Sequence, residues 1–238
     1  METVYLFENN QILDTLIPKD STYLSKYKPK PLTLYKIQIQ HPDFQTDITA
    51  EDILPELPEF SNIHFVDSLY FGGEGRFFSQ ISIEIQDDPH QENFYELLLY
   101  LIKESDSFPY FDQSELYFDP VKNDRILLQE SNLDFSEKNL LFSDQEFIEN
   151  RHLFKINFRP FSYSFFNPNN RIYLIAKIRN VSKSYFNFKK QLRHHIEGGF
   201  YDIWDGTGEA IRLNGNIQNG YGIFAGYSEV IDTLQISN

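Results

Sequence analysis

Cysteine is absent from the 238-residue chain. Disulfides, thiol nucleophiles and cysteine-ligated zinc therefore drop out of the reading, while the redox compartment stays open. Long apolar runs are missing as well, since no segment approaches the roughly 18 consecutive apolar residues of a membrane-spanning helix. The opening stretch, METVYLFENNQ, has neither a basic leader nor a long apolar centre. It does not read as a secretory signal but as a strand followed by an Asn-Asn turn. Positive charge is scarce: 21 Lys and Arg against 35 Asp and Glu leave a net charge of −14, which argues against nucleic acid or an anionic membrane as the main partner. Glycine is scarce and unevenly placed. Eight of the eleven lie between Gly198 and Gly226, and the other three are Gly72, Gly73 and Gly75.

Aromatic residues are plentiful, with 23 Phe and 15 Tyr, a composition that favours β structure and opposes disorder. Period-two alternation dominates the chain. YKIQIQ sets Tyr35, Ile37 and Ile39 on one face, QISIEIQ does the same with Ile81, Ile83 and Ile85, and LFKINF with Phe154, Ile156 and Phe158. These are the marks of half-buried antiparallel strands. RIYLIAKI, residues 171–178, is apolar on both faces and reads as a central strand. NFYELLLYLIKE fits a helical stripe and a strand face equally well.

The two prolines of ILPELPEF interrupt strand pairing and mark a boundary. The expected organisation is a small N-terminal β domain over 1–57 followed by an antiparallel β-sandwich of the immunoglobulin or fibronectin-III kind over 58–238. One helix is expected near 183–196. There Tyr185, Phe188, Leu192 and Ile196 recur at helical spacing, Ser182 is a suitable N-cap, and Gly198 suits the left-handed position after the last turn. Its opposite face carries Lys189, Lys190 and Arg193, read as a solvated basic patch or a dock for an acidic partner.

The C-terminal glycines allow two readings. Gly220, Gly222 and Ala225 satisfy the dinucleotide pattern G-x-G-x-x-G/A, but the twelve residues after Gly226 are too few for the helix, strand and acidic residue that such a site needs. The alternative is structural: Asp205-Gly206, Asn214-Gly215 and Asn219-Gly220 are tight-turn dipeptides, with FYDIW, EAIRL and YGIFAGY as short strands between them. Neither a nucleotide nor any other cofactor is expected. His194 and His195 are adjacent on the helix and diverge by about 100°. His41, His64, His90 and His152 lack ligand spacing, so no metal is expected either. The serines lack a G-x-S-x-G elbow. The carboxylates, though numerous, show no focus in sequence, which leaves a glycoside-cleaving pair open without pointing to one. Tyr221 and Phe224 in YGIFAGY are candidate interface anchors, or else core.

Four stretches in order are similar to one family. DDPHQENFYEL carries Asp88, Pro89, Asn93, Phe94 and Tyr95 of a D-P-x-x-x-N-Y-Y strand opening. LFSDQEF carries Phe142, Ser143, Asp144 and Phe147 of an F-S-D-x-x-F element. IRNVSKSYFNFKKQL carries Ser182, Tyr185 and Phe188 of a helix start. NGNIQNGYGIFAGYS carries Asn216, Ile217, Gly220, Gly222, Ile223 and Phe224 of the terminal motif. TVYLFENNQ and the stretch from LYKIQIQ to Pro55 resemble its early module. The chain thus resembles the domain of unknown function 4249 family of Bacteroidota envelope proteins, lipoproteins encoded beside TonB-dependent outer-membrane receptors. The resemblance implies a strand at NFYELLLYL. It also implies a non-catalytic binding or assembly module at the outer-membrane surface or in the periplasm, with a TonB-dependent receptor as partner. Relatives begin with a signal peptide, a lipidated cysteine and further strands. Their lack before ETVYLF leads us to expect that the chain starts inside the mature protein or is truncated, with an incomplete first domain. The competing expectation is a cytoplasmic acidic interaction protein, such as an immunity protein that neutralises a basic toxin.

Overall fold

The computed structural model describes residues 2–43, 45–71, 77–87, 90–105, 108–114, 116–119, 126, 139–147, 150–160, 170–205 and 213–236. It is mainly β, with antiparallel sheets that do not close into a barrel. The chain divides into two compact units, the first formed by Met1–Leu57 with Asn180–Ser228 and the second by Pro58–Arg179 with Glu229–Asn238. The break after Leu57 coincides with the expected boundary in ILPELPEF. The sequence reading assigned all of 58–238 to one domain, whereas the structure groups 180–228 with the N-terminal residues.

In the first unit, β1 (Thr3–Glu8), β2 (Gln11–Thr15), β5 (Leu34–Gln40) and β6 (Ile48–Ile53) form a sheet in the order β2-β1-β5-β6. Asn9 and Asn10 adopt φ of 48° and 67° between the paired residues Glu8 and Gln11. A two-residue hairpin whose twist matches its strands requires positive φ at both central positions, and asparagine tolerates it. Val4, Tyr35 and Ala50 point into this unit's core. A separate two-stranded ribbon, β3 (Ile17–Lys19) with β4 (Thr22–Leu24), is exposed along its whole length.

The second unit is a sandwich. One sheet has the order β11-β13-β8-β7, from β7 (Glu59–Phe71), β8 (Phe77–Gln86), β11 (Leu116–Asp119) and β13 (Arg151–Pro160). The other has the order β10-β9-β14-β15, with β12 (Asn139–Ser143) also paired to β9; its strands are β9 (Phe94–Ser105), β10 (Phe108–Ser114), β14 (Asn170–Val181) and β15 (Tyr227–Gln235). The alternating isoleucines of β8 are fully buried. Register places Phe154 opposite Ile83 and Ile156 opposite Ile81, so the apolar faces of β8 and β13 coincide. Tyr95, Leu97, Leu99, Phe142, Ile172, Leu174 and Ile178 from the second sheet join the same core. Each such side chain contributes about 1.5–3 kcal/mol on burial. The ambiguous NFYELLLYL is therefore strand β9, and 171–178 lies in β14, flanked by strands on both sides.

On the second sheet, three neighbouring strands bring Glu96, Arg179 and Glu229 together. Arg179 donates to Glu96 at 2.9 Å and to Glu229 at 2.7 Å, with Glu96 only 1% exposed. A carboxylate so deeply buried is tolerated because the guanidinium offers a pre-organised donor fork. Removing one member of such a group costs more than the pair adds to stability, because the charge left behind is buried and unmatched.

The helix α1 spans Lys183–Asp205, longer than the expected 183–196. Ser182 caps it as expected, its hydroxyl accepting the Tyr185 N–H at 3.2 Å. Gly198 and Gly199 lie inside the helix rather than ending it, and FYDIW is helix rather than strand. Two interior glycines cost about 2 kcal/mol of helix propensity. The helix nevertheless continues through them to Asp205. Gly72, Gly73, Gly75, Gly206, Gly208 and most of EAIRL lie outside the described residues.

Candidate functional site

The segment 213–226 is held in place mainly by side-chain hydrogen bonds. The Asn216 carboxamide accepts the Phe224 N–H at 2.9 Å and donates to the Phe224 carbonyl at 2.6 Å and to the Glu51 carbonyl at 2.9 Å. One side chain thus closes the loop on itself and ties it to β6. Gln218 and Thr49 exchange both backbone hydrogen bonds, at 2.7 and 3.3 Å, as an isolated antiparallel bridge. Asn219 donates to the Asp47 carbonyl at 2.9 Å, and the Gly226 N–H reaches the Asp52 carboxylate at 3.0 Å. Strand β6 is last in its sheet, so the loop gives an otherwise open edge a partner, one of the ways in which sheets avoid edge-to-edge association.

The glycine positions follow from this packing rather than from hairpin turns. A Cβ on Gly215 would stand 1.8 Å from the Gly222 carbonyl oxygen, and Gly222 itself has φ of +116°. At Asn219-Gly220 the left-handed residue is Asn219, with φ of 59°. Gly220 instead gives close approach: a Cβ there would lie 3.0 Å from Ile217 and 3.3 Å from Ile48. YGIFAGY is irregular rather than a strand up to Tyr227, where β15 begins. The dinucleotide pattern therefore leads into a strand, not into the helix N-terminus on which a pyrophosphate would sit.

The same loop closes one side of a cavity of about 230 Å³ in the first unit. Leu6, Leu13, Tyr27, Leu54 and Phe224 form apolar walls, and Ser25, Tyr35 and Asp52 bring the polar atoms. Those polar atoms are already engaged. Ser25 donates to Asp14 at 2.9 Å, Tyr35 accepts the Lys30 N–H at 2.9 Å and donates to Glu8 at 3.0 Å, and Asp52 holds Gly226. Hydrogen bonds from Lys30 and Tyr35 hold the Glu8 carboxyl below its usual pKa. The wall is thus fixed by its own polar contacts and presents carbon to the interior.

The sequence candidates fall in different places. Phe224 turns inward and lines the cavity, whereas Tyr221 is fully exposed; the two do not form one anchor pair. Lys189, Lys190 and Arg193 do not form a solvated basic face. The ammonium of Lys189 stands 5.7 Å from the Tyr185 ring and that of Lys190 4.7 Å from the Phe186 ring, while Arg193 is 6% exposed. Among the described side chains of α1, Phe186 and Arg193, seven positions apart, are buried, while Ile196 is 59% exposed. The buried stripe is therefore rotated from the one that the aromatic spacing implied. Aromatic faces attract these cations, which is why a run reading as solvated charge packs as structure.

Two further motif stretches meet in the second unit. The Asn93 N–H donates to Asp144 at 2.6 Å, the Asp144 N–H donates back to the Asn93 carbonyl at 3.2 Å, and the Asn93 side chain and the Tyr95 hydroxyl both donate to Asp87. Tyr95 stacks on Phe142 and Phe147 with centroids 5.7 and 5.9 Å away. Asp88 and Pro89 lie outside the described residues. The junction borders an open polar cavity of about 510 Å³ touched by Asp87, Glu92, Asp144 and Asn150. Burial pushes the Asp144 carboxyl above its usual pKa, and the neighbouring Asp87 carboxylate, within hydrogen-bonding reach, pushes the same way against the Asn93 N–H. Glycoside hydrolysis needs carboxylates about 5–9.5 Å apart. These two are engaged instead by the Asn93 N–H, the Asn93 side chain and the Tyr95 hydroxyl, and they hold the start of β9 to the end of β12.

What the described residues define is a mainly β protein whose motif residues wall an apolar cavity in the first unit and build a strand junction in the second. The model of the family described as Domain of unknown function (DUF4249) matches residues 2–232, nearly the whole chain, and the chain belongs to that family. Neither the curated proteins nor the solved structures yield a significant match.

Two expectations follow. Gly215→Ala forces a methyl group into the Gly222 carbonyl and should destabilise the protein by about 1–3 kcal/mol, lowering the melting temperature by several degrees. Tyr221→Ala should stay within about 0.5 kcal/mol of wild type. Melting curves of the two variants check this, and a silent Gly215→Ala or a collapsed Tyr221→Ala contradicts the packing described. The second expectation concerns acid. Burial raises the folded pKa of Asp144 above its unfolded value, so its contribution is fully present below the unfolded pKa and is lost as pH rises through the folded pKa. Asp144→Asn keeps an acceptor for Asn93 and should be at least as stable as wild type at pH 7, the difference closing on acidification. If the variant is less stable at pH 7, the ionised carboxylate has a favourable partner and this reading fails.

Proposed function

We propose that the chain is a non-catalytic binding and assembly module of the cell envelope, accessory to a TonB-dependent outer-membrane transporter. The observation that carries this reading is the first unit's cavity. Its polar atoms are committed to holding the fold, and its walls are apolar, a surface made for contact rather than for moving protons. The neighbouring ribbon β3–β4 adds exposed apolar side chains, with Ile17 68%, Leu24 47% and Tyr23 38% exposed. Apolar groups clustered at a surface mark interaction sites more often than they occur singly by chance. The sequence resemblance supports the rest, since it implies envelope lipoproteins of Bacteroidota encoded beside TonB-dependent receptors; the family match itself shows membership alone. On this reading the protein works at the outer-membrane surface or in the periplasm. Among the described residues no helix is long and apolar enough to cross a membrane, a statement that does not extend to strands.

The net charge of −14 favours a second reading, a cytoplasmic immunity-type protein that captures a basic toxin by charge complementarity. Affinity purification from cells that express the neighbouring genes separates the two. The envelope reading expects the adjacent receptor to be enriched about tenfold or more over an untagged control. Retention of a basic neighbour-encoded protein, with no enrichment of the receptor, favours the second reading and sinks the first.

A further inference from the structure

Residues 25–30 read SKYKPK, and their alternation acquires meaning at the cavity. Ser25, Tyr27 and Pro29 line it, while Lys26, Lys28 and Lys30, the residues between them, are exposed. From Leu24 to Lys36 the chain holds four lysines and no acidic residue, in a protein of net charge −14. The carboxylates near this segment are turned to other work: Asp14 accepts from the Ser25 hydroxyl and the Lys26 N–H, Glu8 from Lys30 and Tyr35, and Asp52 from Gly226. The Lys30 side chain is 70% exposed although it pairs with Glu8 at 3.1 Å. A lysine-bearing rim, its charge partly offset by the carboxylates of Asp14, Glu8 and Asp52, therefore borders an apolar recess. At about 230 Å³ the recess is smaller than the roughly 300–1,000 Å³ of small-molecule sites. That size suits a single anchor side chain of a larger partner.

We propose that this recess receives one aromatic or large aliphatic side chain from an extended acidic segment of a partner protein, with Lys26 and Lys28 meeting the carboxylates that flank the anchor. The inference rests on the binding-module reading and names the chemistry of its partner. Extended segments are recognised in this way, with alternate side chains entering pockets, and rim charge sets encounter rate and selectivity more than final affinity. Tyr27 is 45% and Leu24 47% exposed, so a docked segment would cover apolar surface on both sides of the recess.

The test uses the full chain and fluorescence anisotropy with three labelled heptapeptides: a central phenylalanine flanked by glutamates, the same with a central serine, and the same with lysines in place of the glutamates. The first should bind about tenfold or more tightly than either control. Lys26→Glu with Lys28→Glu should weaken it about tenfold, and Leu13→Trp, which fills the recess, should do the same. The lysines are exposed, so the double variant keeps the test valid if Leu13→Trp fails to fold. Equal binding of all three peptides, no detectable binding at millimolar concentration, or unchanged affinity in both variants overturns the proposal. So does self-association of the wild type that Leu13→Trp abolishes, since the occupant would then be a second copy. Receptor capture on the same variants separates the two claims. Capture that survives the lysine substitutions leaves the envelope reading standing and removes this site. Peptide binding without receptor capture keeps the site and removes the envelope reading.

Discussion

The Asn216 carboxamide is the interaction on which the C-terminal loop depends. With three hydrogen bonds it fixes both backbone groups of Phe224 and a carbonyl of β6, and these bonds set where the rest of the loop can go. Gln218 then falls opposite Thr49, Gly226 reaches Asp52, and the Ser182 N–H at the start of α1 finds the Gly226 carbonyl at 3.0 Å. A loop with little regular structure must satisfy its backbone polar groups one by one. Here an asparagine does so with the donor and acceptor of one amide, which no aliphatic or acidic replacement reproduces.

From this constraint follow the close approaches that only glycine permits and the wall of the cavity that Phe224 supplies. The motif residues that identify the family are in this respect scaffold. Asn93, Tyr95, Asp144 and Phe147 do the same in the second unit, where they tie two strand ends together with one backbone hydrogen bond, one from the Asn93 N–H to the Asp144 carboxylate, and stacked rings. The exposed apolar ribbon β3–β4 and the fully exposed Tyr221 stand outside these contacts.

Strands were legible because alternation is a local consequence of having one wet and one dry face. Ile81, Ile83 and Ile85 state it without help from the rest of the chain, and the Asn-Asn turn after β1 is written in the residues that tolerate positive φ. Helix length was not legible, since Gly198-Gly199 looks like a terminus although the helix runs on to Asp205. Nor was the burial of Arg193, because the partner groups of a cation come from elsewhere in the fold. The loop was misread as hairpins for a related reason: Asn219-Gly220 has turn chemistry, but its geometry is set by β6, about 170 residues away in the chain. The recess had a faint signal in SKYKPK, an alternation of lysine with Ser, Tyr and Pro. Without the fold nothing in that run says which alternate residues face a cavity.

Amide hydrogen exchange on wild type and Asn216→Ala tests most directly the claim that this loop is built by its asparagine and not by turns. The account predicts that the N–H groups of Gln218, Phe224 and Gly226 are protected in the wild type and lose protection together in the variant, while those of Ile83 and Phe154 in the sandwich core keep theirs. A loop that exchanges freely in the wild type, or protection unchanged by the substitution, contradicts it.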